Sequence, residues 1–101
     1  MSNPNIQIKG TSIPMATAST LTISTGNTAQ VVFTATRRHY LLFQNTSANL
    51  MMLTIDGSTP SATNGLALPQ NAGYEATAAV SSQAIKVWCA TSGSTFYAVQ
   101  G

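Results

Sequence analysis

The stretch RRHYLLFQNTSANLMMLTI, residues 37–55, decides the fold class of this chain. It contains two apolar runs of strand length, residues 40–43 and residues 50–53, joined by a polar Asn-Thr-Ser-Ala-Asn turn. Apolar side chains stand at consecutive positions in both runs, so both faces of each strand must be covered. One face is expected to form the core. We expect the N-terminal segment or a partner subunit to cover the other.

Short β-like segments continue on both sides of this stretch at a spacing of about ten residues. Residues 20–24 alternate apolar and hydroxylated side chains, and residues 31–34 are rich in β-branched ones. Further strands are predicted at residues 66–68, 74–78, 85–90 and 96–99. No helical pattern is evident. The sequence therefore predicts an all-β fold, an antiparallel β-sandwich or jelly-roll-like barrel of about seven or eight short strands.

Turn residues separate these segments. Asp56-Gly57 and Asn64-Gly65 bound a polar loop, and Asn71-Ala72-Gly73 forms another turn. Residues 91–94, Thr-Ser-Gly-Ser, are expected to join the last two strands as a hairpin.

The first 19 residues are predicted to be an extended N-terminal arm, since Pro4, Gly10 and Pro14 interrupt any long strand. Residues 6–8 are expected to form a brief strand, and residues 15–19 to be either mobile or ordered against a neighbouring subunit. Residues 20–101 are expected to form a single β-sandwich domain, which this length allows around one core.

Charged residues make up only 6% of the chain, where a typical soluble domain has about 25%. Hydroxyl and amide side chains replace them, so charge repulsion opposes association much less than usual. The net charge of +2 and the apolar content of 44% argue against disorder. No secretory leader or membrane-length apolar run is recognised, so neither export by that route nor a membrane location is expected.

The last long strand pattern contains the single cysteine. With Ile85, Val87 and Cys89 inward, Lys86 and Trp88 point outward together. Cys89 is therefore expected to be a small buried hydrophobe, which is compatible with assembly in a reducing cytoplasm.

Catalytic constellations are missing from the sequence. Asp56 and Glu75 are the only carboxylate side chains, and both are predicted at or near turns. His39 is the sole histidine and no nucleophile-elbow motif accompanies it. These residues and Cys89 show no metal-ligand spacing, and no glycine-rich phosphate loop is present. The prediction is a protein without enzymatic activity, metal or cofactor.

The cluster Arg37-Arg38-His39 is open to two interpretations. Guanidinium groups neutralise phosphates, but four basic residues in the whole chain are too few to favour nucleic acid as a partner. Capping of a sheet edge or contact with a protein partner is the preferred interpretation. Asn45-Thr46-Ser47 matches a glycosylation acceptor and is interpreted as a turn.

Residues 37–101 resemble a recurrent module of small tailed-bacteriophage virion proteins. The resemblance lies in RHYLLFQN (residues 38–45), LTIDG (53–57), the loop of residues 60–68 with Asn64-Gly65-Leu66, LPQNAGYE (68–75), and a closing hairpin. Proteins of that kind are β-sandwiches that serve as capsid decoration (cement) proteins or as parts of head fibres and tails.

The resemblance implies a virion structural protein, with capsid decoration as the leading expectation. Such a protein binds the major capsid protein at the surface of the assembled head, as a dimer or trimer, after assembly in the host cytoplasm. The expected partner-contact residues are Arg37, Arg38, Tyr40, Met51, Met52 and Trp88.

Two alternatives remain at this point. One is a tail, baseplate or head-fibre component of the virion. The other is a carbohydrate-binding β-sandwich in which Trp88 and Tyr97 form one platform for stacking sugars.

Overall fold

The computed structural model describes residues 15–101, which form two four-stranded antiparallel sheets. The first sheet has the strand order β1-β8-β3-β6, and the second has the order β2-β7-β4-β5. The strands are β1 (Ala16–Thr17), β2 (Gln30–Phe33), β3 (Leu41–Asn45), β4 (Met51–Thr54), β5 (Leu66–Leu68), β6 (Gly73–Ala76), β7 (Ile85–Cys89) and β8 (Phe96–Gln100). The predicted all-β sandwich is confirmed. The strand predicted at residues 6–8 lies outside the described residues.

The strand pairing is that of a jelly roll. The first four strands pair in reverse order with the last four: β1 with β8, β2 with β7, β3 with β6 and β4 with β5. The described chain is thus one long hairpin whose tip is the loop of residues 55–65. Two further pairings, β3 with β8 and β4 with β7, roll this hairpin into two sheets.

Alternation along the central strands places the core between the sheets. In β3 and β7 every second residue is buried, as the period of a strand requires. Phe43 and Phe96 stack across the first sheet with ring centroids 5.0 Å apart. The inward positions of β7 follow the prediction, because Ile85, Val87 and Cys89 are all fully buried.

The connection of residues 91–94 is a correction to the predicted hairpin. Gly93 adopts a positive φ of 80° and reverses the chain, as a turn residue should. The turn, however, passes the chain from β7 in the second sheet to β8 in the first. Local turn chemistry determines that the chain reverses. It does not determine which strand lies alongside, because β7 already has β2 and β4 as neighbours.

The strand predicted at residues 20–24 is also corrected, since only an isolated bridge forms there, between Thr22 and Thr95. The amide of Ala18 donates to the carbonyl oxygen of Ala98, and that of Phe96 donates to the carbonyl oxygen of Leu21. Residues 18–21 advance three positions while residues 98–96 advance two, so the pairing contains one extra residue, as in a β-bulge. Ahead of this break β1, within the predicted arm, pairs with β8 of its own chain.

A buried arginine before β3 connects three segments of the chain by hydrogen bonds. Arg38 is only 5% exposed, and its guanidinium reaches three separate segments. Nε donates to Oε1 of Gln100 at 2.8 Å, and Nη2 donates to the carbonyl oxygen of Thr34 at 2.9 Å. Nη1 donates to the carbonyl oxygens of Ser81 at 2.5 Å and Gln83 at 2.9 Å. The guanidinium thus supplies hydrogen-bond donors to carbonyl oxygens that the fold shields from water.

A buried asparagine does the same at the other end of β3. Asn45 Nδ2 donates to the carbonyl oxygens of Asn49 at 2.6 Å and Leu68 at 2.8 Å. Its Oδ1 accepts from the amide of Ser47 at 2.9 Å and from the hydroxyl of Ser47 at 2.8 Å. All four hydrogen-bonding positions of the side-chain amide are filled. The Asn-Thr-Ser motif is therefore part of a closed turn.

Candidate interaction faces

The six predicted contact residues do not form one surface. Met51 is fully buried, and Arg38 and Met52 are nearly so, which leaves little of these three side chains for a partner to contact. The other three retain accessible surface. Arg37 and Tyr40 belong to the connection between β2 and β3, whereas Trp88 lies in β7 of the second sheet. Successive residues of a strand point to opposite faces, so Met51 lies in the core and Met52 on the outer side of the second sheet.

The outer side of the second sheet carries one of two candidate faces. Residues opposite each other in antiparallel strands project from the same side of a sheet. Met52 pairs with Trp88 on one side and with Ala67 on the other, and Val31 pairs with Lys86. Leu50, two residues before Met52, continues the alternation of β4 on this side, and Lys86 and Thr54 lie on it as well. We call Val31, Leu50, Met52, Ala67 and Trp88 the apolar face.

Exposure is unevenly distributed over the apolar face. Val31 is 51% exposed, and Leu50, immediately before β4, is 49% exposed. Met52 is only 7% exposed, and its large cross-strand neighbour is the half-buried Trp88. The cover expected for Met52 thus comes from its own chain. Val31, Leu50 and the outer surface of the indole are what this face offers to a partner.

The outer side of the first sheet is different in chemistry. Leu42 pairs with Val99 on β8 and Glu75 on β6, and Gln44 pairs with Tyr97 on β8. Tyr40 continues this side of β3, since it exchanges backbone hydrogen bonds with Gly101 beyond the end of β8. We call Tyr40, Leu42, Gln44, Glu75, Tyr97 and Val99 the aromatic face.

A hydrogen bond organises the aromatic face. The phenol hydroxyl of Tyr40 donates to Oε2 of Glu75 at 2.7 Å, across the β3–β6 pairing. This bond raises the pKa of Tyr40 above its ordinary value, and partial desolvation and the neighbouring charges of Glu75 and Tyr97 act in the same direction. Tyr97 itself is 42% exposed. The face therefore combines accessible ring surface with a fixed carboxylate.

The platform predicted from Trp88 and Tyr97 is wrong. Trp88 lies outside the second sheet and Tyr97 outside the first, so the sandwich separates them. Tyr97 instead shares a face with Tyr40 and Glu75, a grouping that the sequence analysis did not find. Alternation along β8 points the side chain of Tyr97 outward and those of Phe96 and Ala98 inward. Only the β8–β3–β6 strand order brings the three residues together.

The remaining titratable residues are dispersed. Asp56 follows β4 of the second sheet, Glu75 belongs to β6 of the first, and His39 lies in the loop before β3. Glu75 therefore lies in the strand predicted at residues 74–78, shortly after the turn at Asn71. Among residues 15–101, His, Cys, Asp and Glu form no group of three that could hold a metal ion.

The carboxylate of Asp56 stabilises the turn that follows β4. Its Oδ1 accepts from the hydroxyl of Ser58 at 2.6 Å and from the amide of Ser58 at 3.0 Å. These two hydrogen bonds hold the pKa of Asp56 below its usual value. An open cavity of about 320 Å³ lies beside it, between the tip loop and the ends of β4 and β5.

No protein-family model matches this chain, and no match was found among curated proteins or solved structures. In the described part of the chain, no helix is long and apolar enough to cross a membrane. Function has to be inferred from the two outer faces and from the resemblance in the sequence.

Proposed function

We propose that this chain is a structural protein of a bacteriophage virion, a capsid decoration protein that binds the assembled head and stabilises it. The observation that carries the proposal is the apolar face, where Val31 and Leu50 are about half exposed beside Trp88. Large apolar side chains grouped on one side of a small domain are typical of a protein contact surface. The sequence resemblance gives the partner, the major capsid protein.

The strength of one such contact is modest. Burying the remaining surface of Val31 or Leu50 contributes roughly 1 kcal/mol each, since complete burial of such a side chain is worth about 1.5–3 kcal/mol. Trp88 is the anchor that we expect, because tryptophan is among the residues most enriched at interface hot spots. A single copy of the domain is therefore expected to bind a shell weakly.

Oligomers overcome this weakness by avidity. In the proposal the protein associates as a dimer or trimer, so one copy bound to a capsid subunit holds the others near neighbouring subunits. Bridging neighbours resists expansion of the shell, and this is how a decoration protein stabilises a head. The net charge of the chain is only +2, and Lys86 is the charged residue in the strands on the outer side of the second sheet. Little electrostatic repulsion therefore opposes such close packing.

The direct test is a binding experiment with particles. The purified protein is mixed with phage heads that lack it, the heads are pelleted, and bound copies are counted, with isolated tails as the control. Saturable binding at a stoichiometry compatible with capsid symmetry, with greater resistance of the heads to heat or chelator, is the expected result. Binding only to tails favours a tail, baseplate or head-fibre component instead. Binding to neither particle contradicts a virion role.

A further inference from the structure

The two outer faces of the sandwich point in opposite directions, so a copy that docks through the apolar face presents the aromatic face to the medium. We propose that the aromatic face is a binding site for a neutral oligosaccharide. The outward orientation of this site rests on the proposed function. The binding itself does not, because it requires only Tyr40, Gln44, Glu75 and Tyr97 in the folded chain.

Ring surfaces are the first part of the argument. Tyr97 is 42% exposed on β8, and Tyr40 is half-buried before β3 on the same outer side. Phenol rings offer a flat apolar surface with a polar edge, which suits the alternating C–H and hydroxyl surfaces of a sugar. Tyr40 lies four residues along β3 from Gln44, the partner of Tyr97, or roughly 13 Å at the rise of a strand. The two rings therefore suit a chain of sugars better than a single one.

Polar groups beside the rings are the second part: Gln44 lies opposite Tyr97, and Glu75 is bonded to Tyr40. Oε2 of Glu75 accepts the hydrogen bond of Tyr40, and within the described residues Oε1 of Glu75 accepts none. Gln44 donates from Nε2 to the carbonyl oxygen of Asn71 at the long distance of 3.3 Å, which leaves Oε1 of Gln44 and the second amide hydrogen accessible. Acceptors and donors at fixed positions beside ring surfaces are what recognition of hydroxyl groups requires.

Charge determines the class of sugar. The described outward positions of β1, β3, β6 and β8 carry no lysine or arginine, and Glu75 gives the face a single negative charge. Glu75 would repel a sulfated, phosphorylated or uronic-acid chain, and none of these described strand positions carries a cation to pair with its charges. Neutral sugars have no such penalty. The supporting strands β3 and β8 each pair on both sides, so the site is rigid before binding.

The test uses the full-length protein, labelled with ¹⁵N and titrated with four probes. Three are neutral hexasaccharides, of glucose, mannose and N-acetylglucosamine, and the fourth is a heparin-derived hexasaccharide as the anionic control. The expected result is saturable amide shifts with at least one neutral probe, confined to β3, β6 and β8, and none on this face with heparin. Tyr97→Ala should weaken that binding at least tenfold, whereas Trp88→Ala, on the opposite face, should leave it within twofold of the unaltered protein.

Several results would overturn the inference. They are an absence of saturable shifts with all three neutral probes, shifts centred on the second sheet, or equal losses from Tyr97→Ala and Trp88→Ala. A loss of head binding in Tyr97→Ala but not in Trp88→Ala would also overturn it, since the aromatic face would then be the docking surface. Glu75→Gln is the second variant, which keeps the shape of the side chain. It should reduce neutral-sugar binding without creating binding to heparin. Failure of head binding alone contradicts the proposed function and leaves the sugar titration unaffected.

Discussion

Trp88 and Tyr97 lie on opposite outer faces of the sandwich, although they stand close together in the sequence at the two sides of one turn. Tyr97 is 42% exposed and Trp88 is half-buried, and each has different neighbours on its face. Val31, Met52 and Ala67 lie on the side of Trp88 together with Lys86, whereas Gln44 and Glu75 accompany Tyr97 and Tyr40. Paired variants at these two positions therefore separate the functions that the two faces are proposed to have.

Trp88→Ala should reduce binding to phage heads at least tenfold, and Tyr97→Ala should leave it unchanged. A tryptophan at the centre of a contact typically contributes more than about 1.4 kcal/mol, or one factor of ten. Cosedimentation at graded protein concentrations measures this. Because loss of the indole also uncovers Met52, a thermal melt must show that the variant is folded. Val31→Lys provides a second test, since it adds a charge at an exposed position of the same face.

Replacement of Arg38 should destabilise the fold strongly. Arg38→Ala leaves the carbonyl oxygens of Thr34, Ser81 and Gln83 without their donor, so a loss of about 2–4 kcal/mol in the free energy of unfolding is expected. Burial lowers the pKa of Arg38, but an arginine remains charged at neutral pH. The exposed neighbour provides the control: Arg37→Ala should change stability by less than about 0.5 kcal/mol. Equal urea midpoints for the two variants would contradict this role.

Asn45→Asp should make stability depend on pH. The new carboxylate would face the carbonyl oxygens of Asn49 and Leu68, to which the native amide donates. Burial and these oxygens favour the protonated acid, so its pKa rises in the folded state above the unfolded value of about 3.9. The variant should therefore lose least stability near pH 4 and more as the pH rises toward 7.

The measurement for Asn45→Asp is its unfolding free energy relative to the unaltered protein at each pH, which removes the contribution of the groups that both proteins share. Asn27→Asp is the matched control. Asn27 has a positive φ of 58°, which aspartate also tolerates, so this variant should show little pH-dependent difference. A pH-independent loss for Asn45→Asp would show that its carboxylate escapes to solvent.

Two glycines should differ in their tolerance of a methyl group. Gly65 has a φ of 132°, and a Cβ there would lie 3.0 Å from the carbonyl oxygen of Leu53. Gly93 has a φ of 80° and nothing within 4 Å of such a Cβ. Gly93→Ala should cost about 1 kcal/mol from backbone conformation alone, and Gly65→Ala clearly more. Chemical denaturation of both variants tests the order, and a smaller loss at Gly65 would contradict it.

The hydrogen bond from Tyr40 to Glu75 should be visible in a titration. Because the bond raises the pKa of Tyr40, its phenol should ionise above the ordinary value of about 10. The folded state binds this proton more firmly than the unfolded state. Its stabilising contribution is thus complete below pH 10 and is lost as the pH rises through the raised pKa. The ¹³Cζ signal of Tyr40, followed by NMR as the pH is raised, measures this pKa. Glu75→Gln should lower the pKa of Tyr40. An unchanged value would exclude Glu75 as the cause.

Patterns that act over a few residues were predictable from the sequence. Short apolar and β-branched runs between turn residues placed β2 to β8 within a residue or two of their observed bounds, and alternation gave the inward set of β7 correctly. The turn signals at Gly57, Gly65 and Gly93 all have positive φ, because the conformation of a turn depends on its own residues. The candidate site was less predictable, since exposure depends on what the rest of the chain covers. Arg38 and Met52 illustrate this, as both are buried.

By itself, then, the sequence determined an all-β chain of short alternating strands with low charge and without a recognisable catalytic set. The tertiary structure decided which strands are neighbours. Residues 91–94 have the composition of a hairpin turn, yet they connect the two sheets. The physical reason is that strand pairing is a contact between distant segments, selected by the burial of a common core. No local propensity encodes it, and it placed Tyr97 beside Tyr40 and Glu75 and far from Trp88.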